Sequence, residues 1–343
     1  MTLVKFFYIT LLSIAFVSCG NNPSGKIDFT INTNAVNNKI LNNESLKLSI
    51  DNPKNLIIDS VSYFINNKPS KEIFELKDSK LGDVNISAKI YAEGEKRELK
   101  STITVLSSSS PKVYTYKIIN EYPHDIKSYT QGLEFYKSEL YESTGQKGES
   151  KLRKVDYKTG KVLKNIDLDP NYFGEGLTIF NNQIYQLTWQ SRIGFVYNID
   201  SFERISSFKY NKSVEGWGIC NDGKTLYKSD GTEKIWTLNS STLVEEEFIQ
   251  AYTNKGKVIG LNELEWINGK IYANRYQKDG VAIINPKNGA IEGVIDFSPL
   301  KKKVTQHKNL DVLNGLAWNP DTNTLFVTGK RWDKLFEVEI IEK

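Results

Sequence analysis

The chain has 343 residues, of which 39% are apolar and 25% charged, with a formal net charge of +4. So small a net charge gives no support for a nucleic-acid or strongly acidic partner, and the sequence predicts no nucleic-acid binding. Its two cysteines and two histidines form no zinc-binding cluster, and we predict neither a metal nor another cofactor in the site. A structural cation held by oxygen ligands stays open.

The N-terminal residues have the pattern of a bacterial lipoprotein signal. Lys5 precedes an apolar run over residues 6–17, which is too short to span a membrane but suits a signal peptide. Small residues then lead up to Cys19, as in a lipobox; the alternative is an ordinary secretory peptide with an incidental cysteine. We predict a signal peptide over 1–18, lipidation of Cys19, a tether over 19–25, and a lipid-anchored location in the bacterial cell envelope, facing the periplasm or the surface.

Residues 26–106 are predicted to form a small separate β domain. Five segments alternate polar and apolar residues, as half-buried strands do, and they lie at 27–31, 46–50, 61–65, 84–90 and 102–105. Their number and spacing favour an immunoglobulin-like sandwich that lacks the cysteine pair of antibody domains. Residues 107–111, four serines and a proline, are predicted to be a linker. We find no candidate chemistry in this domain, and a spacer or adhesion role is its default function.

The rest of the chain carries a fivefold repeat. A polar residue, then a glycine (Glu263 in one copy), then an apolar or aromatic residue recurs every forty to fifty residues or so, a period typical of repeat architectures. The five copies begin at Gln131, Glu175, Glu215, Asn262 and Asn314. We expect these five polar side chains to occupy equivalent positions, where the repeats converge.

Each repeat contains several short strands. A second apolar strand follows each copy after a turn such as Asn181-Asn182 or Asn268-Gly269, and most units show a third and a fourth. Four short strands per unit at this period predict an all-β protein whose residues 112–343 form a five-bladed β-propeller. The last unit ends after its third strand, and Val113–Ile119 is predicted to supply the missing one.

The converging ends of the repeats are the predicted site. Two of the five polar residues there, Glu175 and Glu215, are acids, and two acids in a narrow, partly dry channel raise each other's pKa. One of them is then a candidate proton carrier near neutral pH. The alternative is structural, because axial polar groups in propellers also satisfy strand ends and water. Aromatic residues near the same strand ends suggest a ligand-binding wall, namely Trp189, Trp217, Tyr276 and Trp332.

A set of short motifs, in order from about Tyr114 to the C-terminus, resembles one enzyme family. The motifs include residues 122–125, 129–133, 141–145, 172–178, 216–218, 229–232, 261–265, 312–315 and 327–330. They are similar to those of glutaminyl-peptide cyclotransferases of the plant and bacterial type. The resemblance implies a five-bladed propeller and an acyltransferase that cyclises the N-terminal glutamine of peptides or proteins to pyroglutamate, releasing ammonia. It does not cover residues 26–106.

Site roles follow from the resemblance motif by motif. It implies that Glu175 transfers the proton and that the substrate contacts are Gln131, Trp189, Trp217, Asn262, Tyr276 and Lys330. Tyr276 departs from the family pattern, which often has tryptophan there. Nothing in the spacing excludes Glu215 as a rival base. The competing function is a non-catalytic surface lipoprotein whose propeller binds peptides or glycans; in either case we expect a monomer attached to the membrane through its lipid.

Overall fold

The computed structural model describes residues 29–343, so the predicted signal peptide, Cys19 and the tether lie outside the described residues. This part of the chain is all-β, with 28 strands (β1 to β28) and one 3-10 turn over Leu300–Lys303. It contains no helix long and apolar enough to cross a bilayer. Cys220 is buried as a free thiol.

The N-terminal unit consists of two sheets around an apolar core. Its strands are β1 Thr30–Thr33, β2 Lys39–Leu41, β3 Ser45–Asp51, β4 Ile58–Ile65, β5 Lys68–Ser70, β6 Ile73–Glu75, β7 Gly82–Ala92 and β8 Glu95–Leu106. One sheet has the order β1-β3-β6 and the other β2-β8-β7-β4-β5. The five strands expected from alternation correspond to β1, β3, β4, β7 and β8. Three strands of three residues each were too short to leave a periodic signal.

The N-terminal unit packs against the repeats. Tyr252 and Ala290, which belong to the repeat region, are buried in the core of the N-terminal unit. The Leu81 amide donates a 2.8 Å hydrogen bond to the Asn288 carbonyl, and the Asp83 amide donates to the Gln250 side chain at 3.1 Å. A shared apolar core and paired backbone groups hold the two parts together.

Residues 112–342 form five units of four strands each. Unit 1 has β10 Thr130–Tyr136, β11 Glu139–Thr144, β12 Lys151–Asp156 and β13 Lys161–Asp167. Unit 2 has β14 Gly174–Phe180, β15 Gln183–Thr188, β16 Ile193–Asn198 and β17 Arg204–Lys209. Unit 3 has β18 Ile219–Asn221, β19 Leu226–Ser229, β20 Lys234–Leu238 and β21 Glu245–Gln250. Unit 4 has β22 Leu261–Ile267, β23 Lys270–Arg275, β24 Gly280–Ile284 and β25 Ile291–Asp296.

Unit 5 combines both ends of the repeat region. It consists of β26 Leu313–Asn319, β27 Thr324–Gly329, β28 Lys334–Glu342 and β9 Lys112–Pro123, the strand that precedes unit 1. The structure pairs β9 antiparallel with β28, as the sequence predicts, and also parallel with β25 of unit 4. The outer edges of units 4 and 5 are therefore paired with each other in this propeller-like fold.

The first strands of neighbouring units approach each other closely, which explains the repeated glycine. A Cβ atom on Gly132 would lie 2.4 Å from the Leu177 amide nitrogen, and one on Gly176 would lie 2.7 Å from the Gly218 Cα. Both distances are shorter than van der Waals contact, so a side chain would force the units apart. Gln131 and Glu175, the polar residues before these two glycines, are thereby held where the units meet.

Candidate active site

A cavity of about 180 Å³ lies where the first two strands of the units meet. Ten residues line it, namely Tyr129, Gln131, Gln146, Phe173, Glu175, Trp189, Trp217, Asn262, Tyr276 and Lys330. All seven residues predicted for catalysis or substrate contact are among them. The structure therefore brings the predicted set together in one place, with three residues that the sequence did not indicate.

Glu175 lies at the bottom of this cavity with 4% of its surface exposed. The β14–β15 pairing is irregular between Gly174 and Leu177, a bulge that releases Glu175 from the alternation of the strand and turns it inward. Gln131 Nε2 donates a 3.1 Å hydrogen bond to Glu175 Oε1, whereas Oε2 has no partner among the described residues. Burial raises the pKa of this carboxyl well above its ordinary value; Lys330 opposes the shift and Glu215 adds to it.

Lys330 provides a buried cation in the same cavity, with 2% of its surface exposed. Its Nζ lies 4.8 Å from the ring centre of Tyr129 and 5.4 Å from that of Tyr276, both within cation–π range. Burial lowers the pKa of this ammonium, while the Glu175 and Asp311 carboxylates act in the opposite direction. Nζ has no hydrogen bond or ion pair within the described chain, so it is a donor available to a ligand.

Glu215 does not occupy the position that the repeat predicts for it. In units 1, 2, 4 and 5 the first strand begins one residue before the polar position, but β18 of unit 3 begins only at Ile219. Glu215 is half-buried, and its Oε2 accepts 2.8 Å hydrogen bonds from the indole N–H groups of both Trp189 and Trp217. Gln190 donates to Oε1 at 3.1 Å. The expectation that all five polar residues are equivalent is therefore wrong for Glu215, because its segment leaves the strand.

A buried ion pair supports the segment that carries Glu215. Lys228 Nζ lies 3.0 Å from Glu245 Oε1 and donates to the Glu215 carbonyl at 2.8 Å. Glu245 Oε2 also accepts the backbone amides of Lys212 and Ser213. Both charges have multiple partners, as buried charges require. The position of the two tryptophans thus depends on a fixed polar support below them.

The amide residues of the repeat divide into two roles. Asn262 lines the cavity, and its side-chain Oδ1 has no donor among the described residues. Asn314 lies outside the cavity and donates through Nδ2 to Gln131 Oε1 at 3.1 Å and to the Thr130 carbonyl at 2.9 Å. Asn314 therefore fixes the orientation of the Gln131 amide, which in turn presents its N–H to Glu175.

Aromatic rings form the wall of the cavity. Phe173 lies 5.6 Å from Trp189 and 6.1 Å from Tyr129, and Trp217 meets Tyr276 edge to face at 5.4 Å, measured between ring centres. Tyr276 is the most open of them at 38% exposure. The phenol at this position keeps the wall aromatic. Aromatic walls with a few convergent polar groups are typical of small-ligand sites.

Three lining residues were missed at the sequence level. Tyr129 and Phe173 each directly precede the first strand of a unit, and Gln146 follows β11. Tyr129 is held by a 2.8 Å hydrogen bond from its hydroxyl to Asp311 Oδ2. A signal for two of them was present, since both aromatics lie two residues before a polar repeat position. Nothing in the sequence around Gln146 marks it.

The polar groups of the cavity indicate which ligand groups it can bind. Two buried acceptors without donors, Glu175 Oε2 and Asn262 Oδ1, face the same cavity as the Lys330 ammonium, which lacks an acceptor. A ligand with N–H donors and a carbonyl oxygen would satisfy all three. Within residues 29–343 no group of three or more His, Cys, Asp or Glu is arranged to hold a metal ion.

Comparison with known proteins agrees with this chemistry. Residues 87–340 match the family described as glutamine cyclotransferase. The chain is 40% identical over 235 residues to a glutaminyl-peptide cyclotransferase of Arabidopsis thaliana, covering 67% of this chain and 73% of the relative. The crystal structure of Myxococcus xanthus glutaminyl cyclase superposes with a TM-score of 0.63 at 33% identity, covering 68% of this chain and 99% of that one. The chain therefore belongs to the glutamine cyclotransferase family.

Proposed function

We propose that this protein cyclises the N-terminal glutamine of peptides or proteins to pyroglutamate and releases ammonia. The observation that carries the proposal is the pairing of two buried acceptors without donors and one buried cation in a cavity of about 180 Å³. An N-terminal glutamine offers the complementary groups, namely an α-amine, a side-chain NH₂ and a carbonyl oxygen. The names of the relatives support the same reaction.

In the proposed mechanism Glu175 moves the proton. The α-amine nitrogen attacks the side-chain amide carbon, and the proton that it loses passes to Glu175 Oε2. The carbon–nitrogen bond of the side-chain amide then breaks, and Glu175 returns the proton to the departing nitrogen, which leaves as ammonia. The raised pKa of Glu175 suits a group that must accept and release a proton near neutral pH.

Other residues position the substrate and stabilise charge. The Lys330 ammonium lies where a donor can stabilise the oxyanion that forms on the attacked carbonyl. Asn262 Oδ1 accepts from the reacting nitrogen groups, and Trp189 and Trp217 fold the glutamine side chain toward its own amine, an orientation effect. Glu215 is the weaker candidate for the base because two indoles and Gln190 already donate to its oxygens.

For the architecture, we propose that the five units are the five blades of one propeller over residues 112–343. The closure of unit 5 by β9 and the four-stranded pattern support this proposal. The two-sheet unit over 26–106 is proposed to be an immunoglobulin-like sandwich that serves as a spacer, with residues 107–111 as the linker. We also propose that the protein acts as a monomer.

For location, we propose a lipid anchor at Cys19 in the bacterial cell envelope. The apolar run over residues 6–17 and the small residues before Cys19 support it. A Cys19→Ala variant is expected to leave the membrane fraction. Retention of that variant in membranes after a high-salt wash would contradict the anchor.

The activity is tested with purified protein and a glutamine-initiated dipeptide. Expected are ammonia release and a product lighter by one ammonia, both unchanged by prolonged chelation. Binding of the peptide without ammonia release would instead support the alternative, a surface lipoprotein whose propeller binds peptides or glycans without turnover.

A further inference from the structure

A second cavity adjoins the candidate active site. This second cavity, called the groove below, has a volume of about 510 Å³ and shares Trp217 with the central cavity. Three other surface cavities, on the outer strands and beside the 3-10 turn, share no residue with the central one. The groove is lined on one side by residues 212–215 and on the other by residues 230–234.

The interruption of unit 3 accounts for the groove. Residues 214–218 are not part of a strand here, whereas the equivalent residues of the other units start their first strand. As a result, the Val214 amide and carbonyl and the Glu215 amide make no hydrogen bond within residues 29–343. Exposed backbone groups of this kind pair readily with an extended peptide. Val214 is also 64% exposed and offers an apolar contact.

Some charged side chains of the groove have partners within the chain, and others do not. Asp230 accepts hydrogen bonds from Thr232 and from the Trp236 indole, and Glu233 lies 3.8 Å from the Lys257 ammonium. Glu215 is bound to two indoles. Lys212 and Lys234 form no ion pair with a carboxylate among the described residues. Lys212 Nζ donates to the Glu246 carbonyl, whereas Lys234 Nζ makes no hydrogen bond within residues 29–343. The Lys234 ammonium is therefore the donor available for peptide carbonyl oxygens or a carboxylate.

The volumes of the two cavities indicate which part of a peptide each can hold. At about 180 Å³ the central cavity is smaller than the roughly 300–1,000 Å³ of drug-sized ligand sites, so it suits one terminal residue. We propose that the adjoining groove binds the residues that follow the N-terminal glutamine, in an extended conformation along Val214 and Glu215. This proposal rests on the function proposed above and assigns the groove to the residues of the peptide that follow its N-terminal glutamine.

The test compares substrates of different length. For the wild-type protein, kcat/KM is expected to rise about tenfold from a glutamine-initiated dipeptide amide to a pentapeptide amide with the same first two residues, the effect of one or two added backbone hydrogen bonds. N-methylation of the backbone at the third or fourth residue should remove part of this gain. The same kcat/KM for both lengths would overturn the proposal.

Variants of groove residues provide a second test of the proposal. Val214→Trp, which fills the groove, and Lys234→Ala are expected to lower kcat/KM for the pentapeptide several-fold while the dipeptide stays within about twofold, because neither side chain lines the central cavity. Lys303→Ala, in a cavity remote from the site, is the matched control. Equal losses for both substrates would overturn the proposal. Absence of turnover with any length in the wild type would instead refute the cyclotransferase function itself.

Discussion

The Gln131 amide donates a 3.1 Å hydrogen bond to Glu175 Oε1 and thereby leaves Oε2 as the oxygen that faces a substrate. Asn314 prevents the Gln131 amide from turning over, because it donates to Gln131 Oε1. The carboxylate is thus oriented by two neighbouring units. Preorganisation of this kind is what an efficient proton carrier needs.

Replacement of that carboxylate tests its role. Glu175→Gln keeps the size of the side chain and removes the titrating group, so kcat is expected to fall by roughly 10²–10⁴. The low-pH limb of kcat/KM, which reports ionisation of Glu175, should disappear from any residual activity. The measurement is steady-state kinetics across pH, with thermal unfolding matched to the wild type. Near-normal turnover of this variant would refute Glu175 as the proton carrier.

Glu215 is expected to act on substrate position rather than on the proton. Glu215→Ala leaves two indole N–H groups without their acceptor, at a cost on the order of 1–3 kcal/mol, so KM should rise more than kcat falls. The pH profile should keep its shape, and tryptophan fluorescence should change. Loss of the low-pH limb in this variant, with Glu175→Gln active, would instead identify Glu215 as the base.

Three buried acids on the first strands of units 1 and 4 predict that the stability of the protein depends on pH. Burial raises the pKa of Glu134 to about 7, and burial also raises the pKa values of Glu263 and Glu265. A raised acid pKa gives stability that is complete below the unfolded value and lost as pH rises through the folded value. The free energy of unfolding should therefore decrease between about pH 4.5 and pH 7, by roughly 3 kcal/mol for Glu134 alone.

The variant Glu134→Gln should flatten that decrease, as followed by denaturant unfolding at several pH values. Glu98→Gln, at an exposed site of the N-terminal unit, is the control and should leave the slope unchanged. A wild-type slope that survives in Glu134→Gln would contradict this assignment.

A buried network of charged residues lies next to the end of β9, and replacement of its central carboxylate, Glu142, is expected to destabilise the protein strongly. Glu142 accepts from His124 Nε2 at 3.2 Å and from Thr130 at 2.8 Å, and it lies 3.8 Å from Arg153. Burial alone would lower the pKa of His124, but Glu142, the Trp332 carbonyl and Asp125 together outweigh it and the pKa is raised. Glu142→Gln leaves the buried His124 without its hydrogen-bonded counter-charge, whereas Arg153 keeps Asp125 at 2.9 Å. The variant should cost about 3–5 kcal/mol of unfolding free energy.

His124→Gln is the informative companion, because its Nδ1 lies 2.8 Å from the Trp332 carbonyl, two residues from Lys330. This variant should be less destabilised than Glu142→Gln, since it removes a charge together with its desolvation cost. Its stability should also vary less with pH, because His124 stabilises the fold at low pH and loses that effect as pH rises through its raised pKa. Equal destabilisation at all pH values would contradict a protonated His124.

The structure has five four-stranded units, and the seven residues predicted for the site line one cavity. Three of the seven, Gln131, Glu175 and Asn262, lie at the position that the fivefold period marks. The sequence could not predict the displacement of Glu215, since Glu215-Gly216-Trp217 has the same pattern as the other copies while its strand begins four residues later than Glu215. The Lys137-Ser138 turn was also missed. Both residues have positive φ, a conformation that Lys and Ser do not signal.

The buried acids on the first strands were not predicted from the sequence, for a different reason. Glu134 and Glu265 lie on first strands, where a carboxylate ordinarily indicates a solvated face. In the structure each accepts a backbone amide from the next unit, Glu134 from Ile179 at 3.0 Å and Glu265 from Trp318 at 2.7 Å. Such partners come from other repeats, so they depend on tertiary packing that no local pattern encodes.

The pairing of β9 with β28 also determines how late in synthesis the repeat region can finish folding. Tyr114 of β9 pairs opposite Glu342 of β28, the two ends of the repeat region. The ribosome completes β9 long before its partner emerges, so β9 must wait with unpaired edges until β28, Lys334–Glu342, has been made. Contacts of such high sequence separation slow folding and expose edges to misassociation. Removal of residues 338–342, which pair with β9, should therefore harm the yield of folded protein far more than their small number suggests.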